Sequence, residues 1–517
     1  MPGLAPGDSN IRRVSGRRDT HILFTLTVIA GCLGGLAAVA FHLSIDVLSA
    51  RLLDPVLARP LAARILLLPL LLVVVGLLVG LLLDRVVPFA RGSGIPEVKT
   101  AYVFGPGAQL SLRTVVGKFV LAAASIGAGF SLGREGPTVQ ICSAIGVAVG
   151  KIARQPPRIV KALISVGAAA GIAAAFNTPI AAITFAMEEV IGDLNQQLVG
   201  AIVVASVAAA VVEHAMLGGR PSLLVPGYSL GNWRELFAYA LLGGFAGLAA
   251  VVFVQALLEL RLFVRHRVAL PVWAKPAVGG AVMGAIGLAL PQTLGIGYPT
   301  LSDALLGQLS WRRMTALGIG KIAATVTSYG WGLSGGIFSP ALFMGAMLGG
   351  GVAHLVHPFA GPTPEIVGSF ALVGMGAFFA GAIRAPITSI LIIFEMTGDY
   401  AIILPLMISN MISYTVAVRL QPVPIYDALL KQDDVPMPEH GARTDLRTTT
   451  VEQAMRPVES PFEAEGPVIF PDQSLDLVLL EFGRRSLREA PVVARTNPGQ
   501  VIGLLSLEDI SAAVTRS

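Results

Sequence analysis

The chain has 517 residues, 54% of them hydrophobic and only 13% charged, with 37 Lys and Arg against 32 Asp and Glu and a mean hydropathy of +0.73. Soluble domains keep about a quarter of their residues charged, so this composition excludes a soluble globular enzyme and places most of the chain in a bilayer. The 58 glycines and 34 prolines fit a polytopic protein with close helix contacts and broken helices.

The chain opens with "MPGLAPGDSNIRRVSGRRDTH", which carries Arg12, Arg13, Arg17 and Arg18 and lacks the apolar core of a signal peptide. By the positive-inside rule, residues 1–20 are expected to be a cytoplasmic tail. Apolar segments follow near 22–43, 64–83, 115–131, 137–150, 160–175, 178–192 and 197–216. A second series lies near 235–260, 271–290, 314–328, 337–356, 367–382, 385–398 and 401–420. Several are shorter than the roughly 20 helical residues that cross a core of about 30 Å. Gly/Pro clusters interrupt them at 92–96, 133–137, 335–340 and 384–386. Short, broken segments predict irregular backbone around a buried site.

The two series are repeats. "GKFVLAAASIGAGFSLGREGP" (Gly117–Pro137) and "GKIAATVTSYGWGLSGGIFSP" (Gly320–Pro340) agree at eight of 21 positions at an offset of 203. A second block, from Val166 and from Val373, aligns at an offset of 207 and pairs Pro179 with Pro386 and Glu188 with Glu395. The membrane part is therefore read as two halves, 21–216 and 235–426, joined by a loop at 217–234. An odd number of crossings per half would invert one half relative to the other. Residues 427–445 read as a polar linker and 446–517 as a small α/β unit. There "VEQAM" and "SLDLVLLEFGRR" are predicted helices, and "APVVAR" and "QVIGLLS" predicted strands.

"GSGIP" (Gly92–Pro96), "GREGP" and "GIFSP" each join flexible glycines to a proline suited to a helix's first turn. They predict three helix N-termini in or near the membrane, each with unpaired N–H groups and the positive end of a dipole. Together they suggest an anion site. An acid inside a span is expensive and usually functional. Glu135 is expected among the N–H groups of its own helix start, where its carboxylate competes with a substrate anion and protonation releases it. The alternative is a local ion pair with Arg134 that only anchors the loop. In the repeat, Glu135 pairs with Phe338. Glu188, Glu189 and Glu395 end apolar runs and can be interfacial or paired acids. Lys118 and Lys321 are either packing charges or attractors of anions. No Ser/His/Asp constellation or metal cluster stands out, and the whole chain has seven histidines.

These residues carry a resemblance. "GSGIP", "GREGP" and "GIFSP", with the "EE" after "FNTP" and Tyr426, resemble in family order the CLC family of chloride channels and chloride/proton exchangers. The resemblance spans about 21–426 and implies an all-α polytopic homodimer. Each subunit would hold its own anion pathway between two inverted repeats of broken, tilted helices. It implies that the hydroxyls of Ser93 and Tyr426 and the backbone N–H groups of Ile337 and Phe338 bind a central chloride. Glu135 would be the gate, and Glu189 would pass protons on the cytoplasmic side. Arg134, Gly136 and Lys118 would support the anion pathway, while Glu188 and Glu395 would be structural. Ser93 resembles chloride-selective members, and Glu189 resembles exchangers. Ser339, where many members have alanine, is expected to matter little.

The tail resembles a single cytoplasmic CBS motif, with Asp509 where a ribose is often met. It is expected to be a dimerisation or stability module, the alternative being a site for an adenine nucleotide. No other cofactor is expected. The function implied is chloride/proton antiport in the inner or plasma membrane, with both termini cytoplasmic. Chloride and protons would be the substrates, membrane lipid and a second copy the partners, and nucleic acid would have no role. A passive chloride channel of the same fold is the alternative; a tail-driven sensor on a membrane scaffold is a poorer one.

Overall fold

The computed structural model describes residues 17–192, 196–218, 235–357, 362–435, 449–458 and 468–516, except 486, 488 and 496. Most of the expected N-terminal tail, loop 219–234 and linker residues 436–448 lie outside them. The chain divides into two compact units, Met1–Val435 and Pro436–Ser517.

The membrane unit is helical. Its first half runs α1 (Arg17–Leu52), α2 (Asp54–Leu57), α3 (Leu61–Arg85), α4 (Ile95–Phe104), α5 (Leu112–Gly127) and α6 (Glu135–Ile152). It continues with α7 (Pro157–Phe176), α8 (Pro179–Phe185, extended by a π turn to Ile191) and α9 (Gln196–Leu217). The second half runs α10 (Glu235–His266), α11 (Lys275–Ala289), α12 (Tyr298–Leu305), α13 (Trp311–Gly330) and α14 (Phe338–Val356). It ends with α15 (Pro364–Ile383), α16 (Pro386–Thr397), α17 (Ile403–Leu420) and α18 (Ile425–Gln432). Among the described residues, eight helical stretches are long and apolar enough to cross a membrane. At 10 residues, α4 reaches only about 15 Å and stops part-way. The apolar helices α7 and α15 are buried almost throughout, whereas α3 turns Leu66, Leu70 and Leu78 outward, as a lipid-facing helix does.

The repeat is visible in the contacts. Gly133 and Gly336, equivalent at offset 203, donate to each other's carbonyls at 2.7 Å in both directions. Lys118 Nζ donates to the carbonyls of Ala90 (3.3 Å) and Gly92 (2.6 Å). Its twin Lys321 donates to the equivalent pair, Thr293 (3.0 Å) and Gly295 (2.7 Å). Such mutual exchange is the mark of a twofold relation. It also gives the buried lysines work: each amine donates to the carbonyls of a loop that leads into a helix start.

The membrane unit runs to Val435 rather than stopping at 426. Residues 427–432, read as linker, continue α18 because Ala428, Leu429 and Leu430 are buried.

In the second unit, β1 (Arg456–Pro457), β3 (Asn497–Ser506) and β2 (Glu489–Ala494) form an antiparallel sheet in that order. Helices α19 (Val451–Ala454), α20 (Leu475–Arg485) and α21 (Leu507–Arg516) accompany it. Val451, Leu475, Val478, Phe482, Val492 and Leu505 make its core. Four of these six elements, α19, α20, β2 and β3, fall on the segments that the sequence nominated; β1 and α21 lie outside them.

Candidate functional site

The site grows from helix starts. Gly94 caps α4 at φ 102°, a left-handed conformation that glycine adopts without strain. A Cβ there would also lie 2.8 Å from the Gly136 carbonyl. A Cβ on Gly136 would in turn lie 2.5 Å from the Ser93 carbonyl. The starts of α4 and α6 are therefore packed backbone to backbone, and glycine is what allows it. The Gly133–Gly336 exchange ties α6 to α14. None of the three N-cap side chains caps its helix, so first-turn N–H groups remain for other acceptors.

Two hydroxyls complete this region. Ser93 Oγ and Tyr426 Oη are fully buried and have no hydrogen-bond partner among the described residues. Leaving a buried polar group unpaired costs about 1–3 kcal/mol, so such groups are kept where something else binds them. α18 packs on α4, and Tyr426 lies within electrostatic reach of both Glu135 and Glu189. Phe338, at the start of α14, is locked among aromatic rings, with centroids at 4.3 Å from Phe379 and 5.1 Å from Phe176.

Glu135 is fully buried. Its carboxylate sits on the first turn of the other half's helix, not on its own as the sequence suggested. Oε2 accepts from the Ser339 backbone N–H at 3.3 Å, and Oε1 accepts from the Ser339 hydroxyl. Tyr298 Oη donates to Oε1 at 3.4 Å. The Gly133–Gly336 exchange holds the starts of α6 and α14 together, which brings the Ser339 donors to the carboxylate. The carboxylate thus fills an anion site, and Ser339, expected to matter little, supplies two of its donors. Arg134 Nε stands 3.9 Å from Oε1, the outer limit of an ion pair. Arg134 instead donates through Nη2 to the Ala175 carbonyl at 3.0 Å, near the end of α7, and covers the Tyr298 ring at 5.3 Å.

Glu189 lies apart from this seat. It is buried and accepts from Lys99 Nζ at 2.8 Å, and the same amine reaches Asp427 at 2.5 Å. Glu188 and Glu395 exchange caps. Glu395 accepts from the N–H groups of Ile180 (2.9 Å) and Ala181 (2.7 Å) at the start of α8. Glu188 accepts from those of Ile387 (3.2 Å) and Thr388 (2.8 Å) at the start of α16. In the second unit, the Asp509 carboxylate accepts from the Ser506 N–H (2.8 Å) and Arg456 Nε (3.0 Å). Partial burial works against ionisation, but the Ser506 and Arg456 bonds prevail and hold its carboxyl below the ordinary value.

Sequence reasoning missed three residues here: Lys99, Asp427 and Tyr298. The first two gave no local signal. Tyr298 did, because "GIGYP" at 295–299 repeats "GSGIP" at the same offset of 203 and marks a fourth helix start, that of α12.

A profile described as voltage gated chloride channel matches residues 75–418. A putative chloride channel protein, ClcB-like, of Ralstonia nicotianae is 33% identical over 410 residues, covering 76% of this chain and 93% of that one. The H(+)/Cl(-) exchange transporter ClcA of Vibrio campbellii is 35% identical over 368 residues, covering 68% and 76%. Among solved structures, a slow cyanobacterial Cl-/H+ antiporter superposes with a TM-score of 0.72 at 26% identity, covering 80% of this chain and 97% of that one. A eukaryotic CLC transporter superposes with a TM-score of 0.73 over 95% and 98% of the two chains; at 20% identity that likeness bears on the fold alone.

Proposed function

Because the chain belongs to the voltage gated chloride channel family, we propose that it exchanges chloride for protons across the membrane. The observation that carries this reading is the Glu135 carboxylate seated on the start of α14. A protonatable group is lodged where a transported anion would sit. Ionised, it competes with chloride for the same donors. Protonated, it loses the charge that the helix start favours and leaves. Each opening therefore consumes a proton, which couples the two ions.

Chloride binds deeper, between the free hydroxyls of Ser93 and Tyr426 and the backbone N–H groups of Ile337 and Phe338. Glu189, within reach of Tyr426, hands protons toward Glu135 from the cytoplasmic side. The molecule works as a homodimer in the inner or plasma membrane, both termini cytoplasmic, each subunit with its own pathway. Its tail is a CBS-like module that steadies the assembly. The engagement of Asp509 by Ser506 and Arg456 favours that role over adenine-nucleotide binding.

The test is flux. Purified protein in chloride-loaded liposomes, placed in low external chloride, should drive protons inward against their gradient as chloride leaves. Glu189→Gln should abolish the pH change while chloride still moves. Chloride efflux with no proton movement in the unmodified protein would refute exchange and leave a channel.

A further inference from the structure

We propose that the hydroxyls of Ser339 and Tyr298 form a latch that holds the ionised Glu135 in its seat and thereby sets the pH at which the pathway opens. The inference rests on reading Glu135 as the gate.

Ser339 donates from its hydroxyl to Oε1 and from its N–H to Oε2. Tyr298 Oη reaches Oε1 at 3.4 Å and lies 3.3 Å from Ser339 Oγ, so the two hydroxyls and the carboxylate close a triangle. Hydrogen bonds to an ionised acceptor are the strong ones. Any α14 start would supply the backbone amide, but the hydroxyls depend on the side chains chosen here. The twin half makes a different choice. At offset 203, Ser339 corresponds to Gly136 and Tyr298 to Ile95. The shared backbone geometry is therefore built without hydroxyls at those places, so packing alone does not require them. They occur only where an acid faces them. Arg134 lies over the Tyr298 ring and steadies the phenol from behind.

Other charged or titratable groups bear on Glu135 from the elements around it. Arg134 stands at 3.9 Å, and Tyr298 and Tyr426 interact with it from α12 and α18. His42 and Asp46 of α1 and Glu213 of α9 lie within electrostatic reach of Arg134. Of these, only Tyr298 also touches the Ser339 hydroxyl, which is why both variants are measured.

The direction follows. Donors that favour the seated, charged carboxylate must be overcome by protonation, so removing one lets the gate leave at higher pH. A charge-assisted hydrogen bond is worth roughly tenfold in an equilibrium, or about one pH unit. Ser339→Ala should move the midpoint of chloride flux up by about one pH unit and tighten chloride binding about tenfold, since the competing carboxylate is weakened. Tyr298→Phe, which removes one oxygen, should shift both in the same direction by less.

The experiment measures chloride binding by calorimetry and liposome chloride flux against pH for both variants, alone and combined with Glu135→Gln. With the carboxylate gone, Ser339→Ala should no longer tighten chloride. An unchanged pH midpoint and chloride affinity in Ser339→Ala, or equal tightening in the Glu135→Gln background, would overturn the latch alone. Unaltered pH dependence in Glu135→Gln itself would overturn the gate, and the latch with it.

Discussion

Two pairs of equivalent positions in the repeat treat an acid differently. Glu188 and Glu395 are twins, and each caps the other half's helix, α16 and α8. Glu135 has no acidic twin: its partner position holds Phe338, packed among rings. The symmetric acids satisfy backbone donors that both halves share, so their task is architectural. The asymmetric acid sits on donors that its own half does not supply, at a place where the twin has an apolar plug. Where the repeat keeps its symmetry its acids cap helices; where it breaks symmetry an acid meets hydroxyls that the twin half lacks.

The sharpest way to break this contrast is at Glu135. Glu135→Gln keeps the shape but cannot titrate, so coupled proton movement should fall by about 10²-fold or more, the scale of a lost positioned proton carrier. Chloride flux should persist without pH dependence, as parallel pH-electrode and chloride-electrode records on liposomes would show. Proton coupling that survived would put Glu135 with the architectural acids.

A second break concerns Glu189, whose twin is Met396, another lost symmetry. Lys99→Met removes the cation shared by Glu189 and Asp427 and should cost about 3–5 kcal/mol, the scale of a buried charge left without its counter-charge. The melting temperature in detergent would report it. Adding Glu189→Gln and Asp427→Asn should recover most of the loss; no recovery would mean that Lys99 acts through packing.

The smallest effect belongs to the symmetric pair. Glu395→Ala and Glu188→Ala should each lower stability by about 1–2 kcal/mol, as lost helix caps do, and leave the proton-to-chloride ratio unchanged. A changed ratio in either variant would erase the distinction between the two kinds of acid.

Much of this was legible in the chain. Hydropathy gave the membrane helices because a span must be apolar along its length, which is a local property. Gly/Pro clusters gave the starts of α4, α6 and α14 because they act through backbone freedom at single residues. The offset of 203 gave the twofold relation and, read further, would have given Tyr298. The seat of Glu135 was not legible. Its donors, Tyr298 and Ser339, lie 163 and 204 residues away, while the sequence around Glu135 pointed to the nearer amides of its own helix. Lys99 and Asp427 escaped for the same reason, being 328 residues apart and joined only once α18 packs on α4.

The sequence by itself determined the helices, their breaks, the duplication and which positions carry acids, because each depends on residues adjacent in the chain. Only the tertiary structure decided which helix start each acid meets. That pairing follows from how the two halves close around their axis, and partners so distant in sequence are selected by packing, not by local preference.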